Sequence, residues 1–423
     1  MRDNGDTICA LATPRGQGGI AIVRVSGDAA LPILKTAFVP ARAARAFEPN
    51  RLMFGKCVDD SGETLDEVMA VYMRSPHSYT REDVIEIHCH GGDASARRIL
   101  RRLRSLGARP AEPGEFTRRA FLNGRVSLAD AEAVMSLIGA TGEAAARASV
   151  RQLEGGVSGF VRSANERLLE QLARIEASTD FPDEIEEETA AKDVLSAVND
   201  LIAELDARAR PDAARLLREG ASVVLSGKPN VGKSSLMNAL IEQERAIVTA
   251  VPGTTRDTLT ERLSLNGIAV ELTDTAGQRA TDDPVERIGV ERARNAVRSA
   301  DLNLLVLDGS RPLNEEDEAL LRVADERTIV VLNKSDLPVV AALKDIAAPV
   351  FRVSAATGAG VDTLRGAMAE RLATGAGDDA MTVERHIDLA GKAKTALLRA
   401  AETIRAGLPL DLAAIPSSGI KQV

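Results

Sequence analysis

The stretch Gly227-Lys-Pro-Asn-Val-Gly232-Lys233-Ser234 lies between a β-branched run, Ser222–Leu225, and a helical run, Ser235–Ile241. It satisfies G-x-x-x-x-G-K-[ST], and no other feature of the 423 residues constrains the fold as much. A strand has to end and a helix has to begin around it. The glycines let backbone N–H groups close on a phosphate, and the helix N-terminus adds a favourable dipole. At this spacing Asn230, Val231, Gly232, Lys233, Ser234 and Ser235 form the phosphate-binding turn. Lys233 reaches the β/γ oxygens and the Ser234 hydroxyl ligates Mg²⁺.

Downstream, the apolar runs Val270–Thr273, Leu304–Leu307, Ile329–Leu332 and Val350–Val353 are each followed by a turn and a helical stretch. That alternation predicts parallel strands with crossover helices. Asp274-Thr275-Ala276-Gly277 closes the first of these strands. Its carboxylate can hold Mg²⁺ through water and the Gly277 amide can sense a γ-phosphate. Asn333-Lys334-Ser-Asp336 closes the third. A carboxylate there accepts two hydrogen bonds from guanine N1–H and N2–H₂, a donor pair adenine lacks, so the expected nucleotide is GTP. Ser354-Ala355-Ala356 completes the base pocket, and Gly253-Thr254-Thr255-Arg256-Asp257 occupies the place of a switch loop. A threonine hydroxyl in such a loop completes the Mg²⁺ shell when γ-phosphate is present. The set resembles the translation-factor-like branch of the Ras-type GTPases.

The flanking sequence differs in character. Residues 1–120 mix short strand-like runs (Ile20–Val25, Val68–Met73, Val84–His88) with turn residues and read as an α+β domain. Over 121–218 apolar residues recur at helical spacing, among them Leu128, Ala131, Val134, Met135 and Ile138. Asp180–Glu188 is an acidic break, Gly375–Asp379 an exit linker, and 381–406 another helix with Leu389, Ala393, Ala396, Leu397 and Ala400 on one face. The expected architecture is multidomain α/β. An α+β domain (1–120) is followed by a helical domain (121–218 plus 379–423), into which a Ras-like P-loop domain with a mainly parallel sheet (219–378) is inserted.

Composition narrows the partners. With 53 Lys+Arg against 62 Asp+Glu, the chain carries a formal charge of −9, which excludes a generally basic nucleic-acid binder. Aromatics make up 2% and Trp is absent, so a stacking surface for single strands is not expected. Cys9, Cys57 and Cys89 are an odd, scattered set that reads as reduced thiols. The N-terminus lacks the apolar core of a signal peptide, and no apolar stretch approaches the ~20 residues of a membrane span. A cytoplasmic protein without membrane contact is expected.

Further motifs sharpen the resemblance. Asp6–Gly27 (DTICALATPRGQGGIAIVRVSG), Ser78-Tyr-Thr-Arg-Glu-Asp, Glu86-Ile-His-Cys-His-Gly-Gly92, Pro113–Gly124 (PGEFTRRAFLNG) and Glu286-Arg-Ile-Gly accompany the nucleotide motifs. From about residue 6 to about residue 400 the chain resembles the MnmE (TrmE) family of tRNA modification GTPases. The resemblance implies an N-terminal domain that dimerises and binds a tetrahydrofolate derivative (5-formyl or methylene form), with Arg24, Glu86 and Arg125 as its contacts. It implies Mg²⁺ on Ser234 and Thr255, and K⁺ on Asn230, Thr249, Val251 and Thr254. That ion would stand where other GTPases insert an arginine finger. It also implies an FAD-dependent partner of the MnmG type in a heterotetramer, and addition of a carbon–nitrogen group (carboxymethylaminomethyl) at C5 of the wobble uridine of certain tRNAs.

The chain departs from the family pattern in several places. Arg125 replaces the usual Lys, keeping the charge and changing its geometry. Gln278 follows Asp274–Gly277 where an apolar residue is usual, so Gln278 and Glu286 compete to orient the attacking water, and the family pattern favours Glu286. Pro252 precedes the switch motif and fixes φ there. The end of the chain, Ile415–Val423, lacks the family's Cys-Ile-Gly-Lys. That departure supports an alternative, a regulatory or assembly GTPase whose folate domain is only a dimer scaffold. Two local features stay open. Glu86, His88 and His90 share one face of a strand and could be a metal site, or folate contacts and ordinary strand packing. The nine arginines of Arg97–Arg125 could be a solvated face or an anion-binding surface for tRNA phosphates or the folate glutamate tail.

Overall fold

The computed structural model describes all residues except 1–5, 43–46, 182, 184–185, 246–259, 275–294, 342, 344–345, 373–379 and 415–423. The chain divides into two units, Met1–Ala131 and Glu132–Val423.

The first unit contains β1 (Ile8–Leu11), β2 (Ile20–Ser26), α1 (Ala30–Ala37), β3 (Phe38–Pro40), β4 (Met53–Val58), β5 (Thr64–Met73), β6 (Val84–His90), α2 (Asp93–Ser105), β7 (Arg109–Pro110) and α3 (Glu115–Leu122). The seven strands order as β3-β4-β5-β6-β2-β1-β7, antiparallel throughout except for β1 beside β7. Strand alternation sends Val23, Val25, Ile85 and Ile87 to one face. They are buried there with Ile33 and Leu34 of α1 and Ile99 and Leu103 of α2. Arg24 and Glu86 are register partners whose side chains point to the opposite face. All three cysteines are buried, and burial pushes the Cys57 thiol up to about 12, which fits packing and not reactivity.

The helix α3 crosses residue 120, the boundary expected from composition. A charge cluster at its first turn holds it to this unit. Glu115 is buried and accepts from Arg109 at 2.6 and 2.8 Å, Arg119 at 3.0 Å and the Glu112 amide at 2.8 Å. Arg119 continues to Asp6 and Glu82. The Arg109 guanidinium, with help from the Glu112 amide and Arg119, pulls the Glu115 carboxyl down to about 2 from an ordinary 4.5. A depressed carboxylate stabilises the fold fully above its unfolded value and loses that contribution as pH falls toward the folded one. Glu115→Gln removes the carboxylate that joins Arg109 to Arg119, leaving Asp6 and Glu82 as their remaining acidic partners, and is expected to cost about 2 kcal/mol at neutral pH. Urea unfolding of the full chain at pH 7 and again at pH 3 should show the difference between variant and parent shrinking at the lower pH.

The second unit contains α4 (Leu128–Gly139, begun before the dividing point), α5 (Glu143–Leu153), α6 (Gly156–Asp180), α7 (Glu187–Arg208), α8 (Pro211–Glu219), β8 (Ala221–Ser226), α9 (Lys233–Arg245), β9 (Thr260–Leu265), β10 (Ile268–Asp274), β11 (Leu302–Asp308), α10 (Glu315–Arg322), β12 (Thr328–Asn333), β13 (Val350–Arg352), α11 (Val361–Leu372), α12 (Glu384–Arg405) and α13 (Leu410–Ala414). Its six-stranded sheet runs β13-β12-β11-β8-β10-β9, parallel except for the β9–β10 hairpin. The central strands β11 and β12 are almost wholly buried, as expected for a sheet covered on both faces.

The long helices form a separate core. Val194, Val198 and Leu201 of α7 pack with Leu397, Ala401 and Ile404 of α12 and Ile175 of α6. The helix after the P-loop domain therefore returns to the helices before it, and the fold is a mixed α/β architecture with a mostly parallel sheet. On α12 the buried line runs through Ala390, Leu397, Ala401 and Ile404, so Leu389 and Ala396 of the expected face lie at its margin. The apolar stripe over 128–138 forms helix α4, but Met135 (59%) and Ile138 (76%) are exposed.

Candidate functional site

The ends of β8, β10, β12 and β13 converge on one side of the parallel sheet, where an open α/β sheet forms its binding crevice. The turn after β8 is dictated by two glycines. Gly227 has φ +133°, and a Cβ there would lie 2.2 Å from the Val306 carbonyl oxygen. Gly232 has φ +94°, and its Cβ would meet the Asn333 side-chain nitrogen at 2.2 Å. Only glycine fits both the handedness and the space. Asn230 also adopts a left-handed conformation, at φ 64°. Its side chain is exposed, whereas the Val231 side chain is buried in the core.

Lys233 opens α9 and is 3% exposed. Its ammonium donates to the carbonyls of Gly227 and Lys228, each at 2.7 Å. Burial lowers its pKa, opposed by the nearby charge of Asp274. The Ser234 hydroxyl donates to Asp274 Oδ2 at 2.7 Å. A hydroxyl and a carboxylate side by side at the phosphate turn are the oxygen donors a small hard cation selects, so the residues present fit Mg²⁺.

The base side is built by backbone and side chains together. Asn333 is 2% exposed; its amide donates to the Val231 carbonyl at 2.9 Å and its oxygen accepts the Ala355 N–H at 3.0 Å. It thus ties the phosphate turn to the Ser354–Ala356 loop. Ser354 is buried, donates to Asp336 Oδ1 at 2.6 Å and accepts the Thr357 N–H at 3.2 Å. Lys334, at φ 64°, places its ammonium 2.7 Å from Asp308 Oδ2. Asp336 and Ala356 are exposed at the mouth and Ala355 is half-buried. Ser235 is exposed on the first turn of α9.

Lys233, Ser234 and Asp274 therefore stand together, and Asn333, Asp336 and Ser354 form a second group beside them. The expected switch and water-orienting residues Thr249, Val251, Thr254, Thr255, Thr275, Ala276, Gly277, Gln278 and Glu286 lie outside the described residues, as do Pro252 and the tail Ile415–Val423.

In the first unit, Arg24 Nε lies 2.8 Å from Glu86 Oε1. The same guanidinium sits over the Tyr79 ring at 5.4 Å and the Phe116 ring at 5.6 Å. Arg125 stacks on Tyr79 at 4.8 Å and donates to its carbonyl at 3.0 Å. Tyr79 and Phe116 were not legible as site residues, since β6, α3 and the loop between β5 and β6 meet only in the fold. The expected one-sided histidine set diverges: His88 faces Glu86 at 3.4 Å, while His90 turns to Asp66 at 2.7 Å. Among the described residues no three His, Cys, Asp or Glu side chains are grouped to hold a metal.

The arginine-rich stretch is partly neutralised internally. Arg102 is buried against Asp60 and Arg119 against Glu115, the half-buried Arg109 also pairs with Glu115, and Arg118 lies 3.3 Å from Glu112. Arg97, Arg98, Arg101 and Arg104 stay exposed along α2. Among the described residues no helix is long and apolar enough to cross a membrane.

Comparison with known proteins covers nearly the whole chain. Residues 7–125 match the family model for the N-terminus of the GTP-binding protein TrmE, and residues 128–417 match the MnmE helical domain. The tRNA modification GTPase MnmE of Geobacter metallireducens is 44% identical over 426 residues, covering 97% of this chain and 92% of that protein. The protein of the same name from Chloroflexus aurantiacus is 46% identical over 428 residues, covering 98% and 93%. That from Lactiplantibacillus plantarum is 42% identical over 431 residues, covering 97% and 91%.

Proposed function

The chain belongs to the MnmE family of tRNA modification GTPases, and from that premise we propose that it is a K⁺-stimulated GTPase whose turnover drives wobble-uridine modification. The observation that carries the nucleotide half is the pairing of Ser234 with Asp274 at 2.7 Å beside the buried Lys233 ammonium. Lys233 offsets negative charge on the β/γ oxygens, and Ser234 and the switch-loop Thr255 would hold Mg²⁺ at the same phosphates, with Asp274 acting through water. Mg²⁺ held by these residues would neutralise charge that develops between the β- and γ-phosphates. The carboxylate of Asp336, oriented by Ser354, selects guanine. Glu286 orients the attacking water in preference to Gln278.

Asn230, Thr249, Val251 and Thr254 hold K⁺, which supplies the second positive charge that other GTPases take from an arginine. Two P-loop domains face each other when that ion is bound. In the first unit, Arg24, Glu86 and Arg125 bind a 5-formyl or methylene tetrahydrofolate. The cationic pair and the Tyr79 and Phe116 rings beside it suit a flat, carboxylate-bearing ligand. This unit dimerises. With an FAD-dependent partner of the MnmG type, the folate one-carbon unit enters the carboxymethylaminomethyl group at C5 of the tRNA wobble uridine. Work in the cytoplasm fits this reading.

GTP turnover by the full chain is expected to rise about tenfold when NaCl is replaced by KCl at equal ionic strength, since a fixed cation at the developing charge is worth at least that much. Equal rates in the two salts would remove the K⁺ assignment. Nucleoside analysis of tRNA from cells that depend on this chain tests the modification half separately.

A further inference from the structure

The segment between β11 and α10 lies against both nucleotide loops. From the phosphate turn, Lys228 sends its ammonium to the start of α10, 2.9 Å from Glu316 and 3.1 Å from Asp317, with a hydrogen bond to Asn314 Oδ1. That helix opens with a capping box. Asn314 Oδ1 accepts the Asp317 N–H at 3.1 Å, and Asp317 Oδ2 accepts the Asn314 N–H at 3.2 Å. Asp317 is 2% exposed, so the segment Lys228 grips is fixed. At the other end of the segment, Asp308 takes the Lys334 ammonium at 2.7 Å, and Gly309 N–H donates to the Asn333 carbonyl at 2.9 Å. Arg311 stands between, 3.8 Å from Asp308 and 4.0 Å from Asp317.

Helix stability does not explain the Lys228 contact. A cation at a helix N-terminus opposes the helix dipole, and the first turn of α10 already carries Glu315, Glu316, Asp317 and Glu318, which suit that dipole without help. The contact serves the loop. The backbone carbonyl of Lys228 is one of the two on which Lys233 rests. With its side chain anchored to α10 and its carbonyl under Lys233, Lys228 sets where the Lys233 ammonium stands.

We propose that Lys228 is a positioning residue for GTP hydrolysis, pinning the phosphate turn to the N-terminus of α10 so that Lys233 meets the β/γ oxygens in register. Lys228→Met in the full chain is expected to lower kcat about tenfold, while affinity for a non-hydrolysable GTP analogue changes less than about threefold, because a small misplacement of a charge stabiliser weakens the transition state more than ground-state binding. Lys228→Arg keeps the cation and should stay within about twofold of the parent. In a double-mutant cycle, Lys228→Met and Asp317→Asn should be less than additive in kcat. A folded Lys228→Met with unchanged kcat overturns the proposal. So does a Lys228→Arg variant as slow as Lys228→Met, or a lowered melting temperature with kcat intact, which would make the contact structural only. Turnover by the parent chain, measured alongside, reports on the nucleotide site itself.

Discussion

Lys233→Met is expected to lower GTP turnover by about a thousandfold while leaving the melting temperature of the chain unchanged or higher. The two halves of that result have one cause. The Lys233 ammonium is almost fully buried, and the atoms it touches are the neutral carbonyls of Gly227 and Lys228. Asp274 acts on it through space, and burial pulls its pKa down. A buried cation whose hydrogen-bond partners among the described residues are neutral carbonyls costs the fold more in desolvation than it returns. Methionine keeps most of the stem's volume and removes that cost. What it cannot supply is the positive charge opposite the β/γ oxygens, where low dielectric makes a preorganised cation most effective. Single-turnover rates and a melting curve on the same sample test the claim. A rate that falls only in step with lost folding would mean that the lysine supports the loop instead of the chemistry. Lys233→Arg should not restore turnover, because a planar fork does not fit a turn closed by Gly227 and Gly232.

The parts that sequence spacing made legible are those where chemistry and backbone are set by neighbours in the chain. The phosphate turn needs Gly227 and Gly232 at fixed offsets, and the structure shows the contacts that exclude a side chain at each. Parallel strands were visible because β11 and β12 are buried on both faces and read as continuous apolar runs. The β9 strand was not, since its alternation is broken by the exposed Glu261 and Arg262. Its signal lay in the turn. Asn266 and Gly267 adopt φ 51° and 82°, and Asn-Gly between two strands is a strong short-range hairpin indicator.

Contacts between distant segments were out of reach for a different reason. Nothing local marks Tyr79 as the ring shared by Arg24 and Arg125, or Lys228 as the partner of Asp317. The Asn314–Asp317 capping box could have been read from its spacing, but not the lysine that meets it. Periodicity likewise placed α4 without saying that Met135 and Ile138 would face outward. The arginine count over 97–125 likewise did not separate the paired from the exposed residues. Charge is visible in sequence and pairing is not, so Arg102, Arg109 and Arg119 looked available when they are held by Asp60 and Glu115.

Asp336→Asn is expected to reverse base preference, with kcat/KM for GTP relative to XTP falling by about ten-thousandfold. Asn333 is committed to the protein at both ends of its amide, to Val231 and to Ala355, so the carboxylate of Asp336 is the group left to read the base edge. Ser354 donates to one of its oxygens at 2.6 Å and is itself buried, which fixes the carboxylate's plane. In that plane it would accept from guanine N1–H and N2–H₂. An asparagine on the same serine keeps its oxygen toward Ser354 and turns its N–H₂ to the base. Guanine then meets donor against donor, and a desolvated, unpaired polar group costs more than the lost bond itself. Xanthine carries a carbonyl at C2 in place of the amine, so the same N–H₂ finds an acceptor. Competing turnover of the two triphosphates by one sample cancels any loss of folded protein. A variant that still prefers GTP would show that Asp336 braces Ser354 and that guanine is read by another group. Ser354→Ala separates the two roles, since loss of the serine should loosen discrimination in the parent but leave its direction intact.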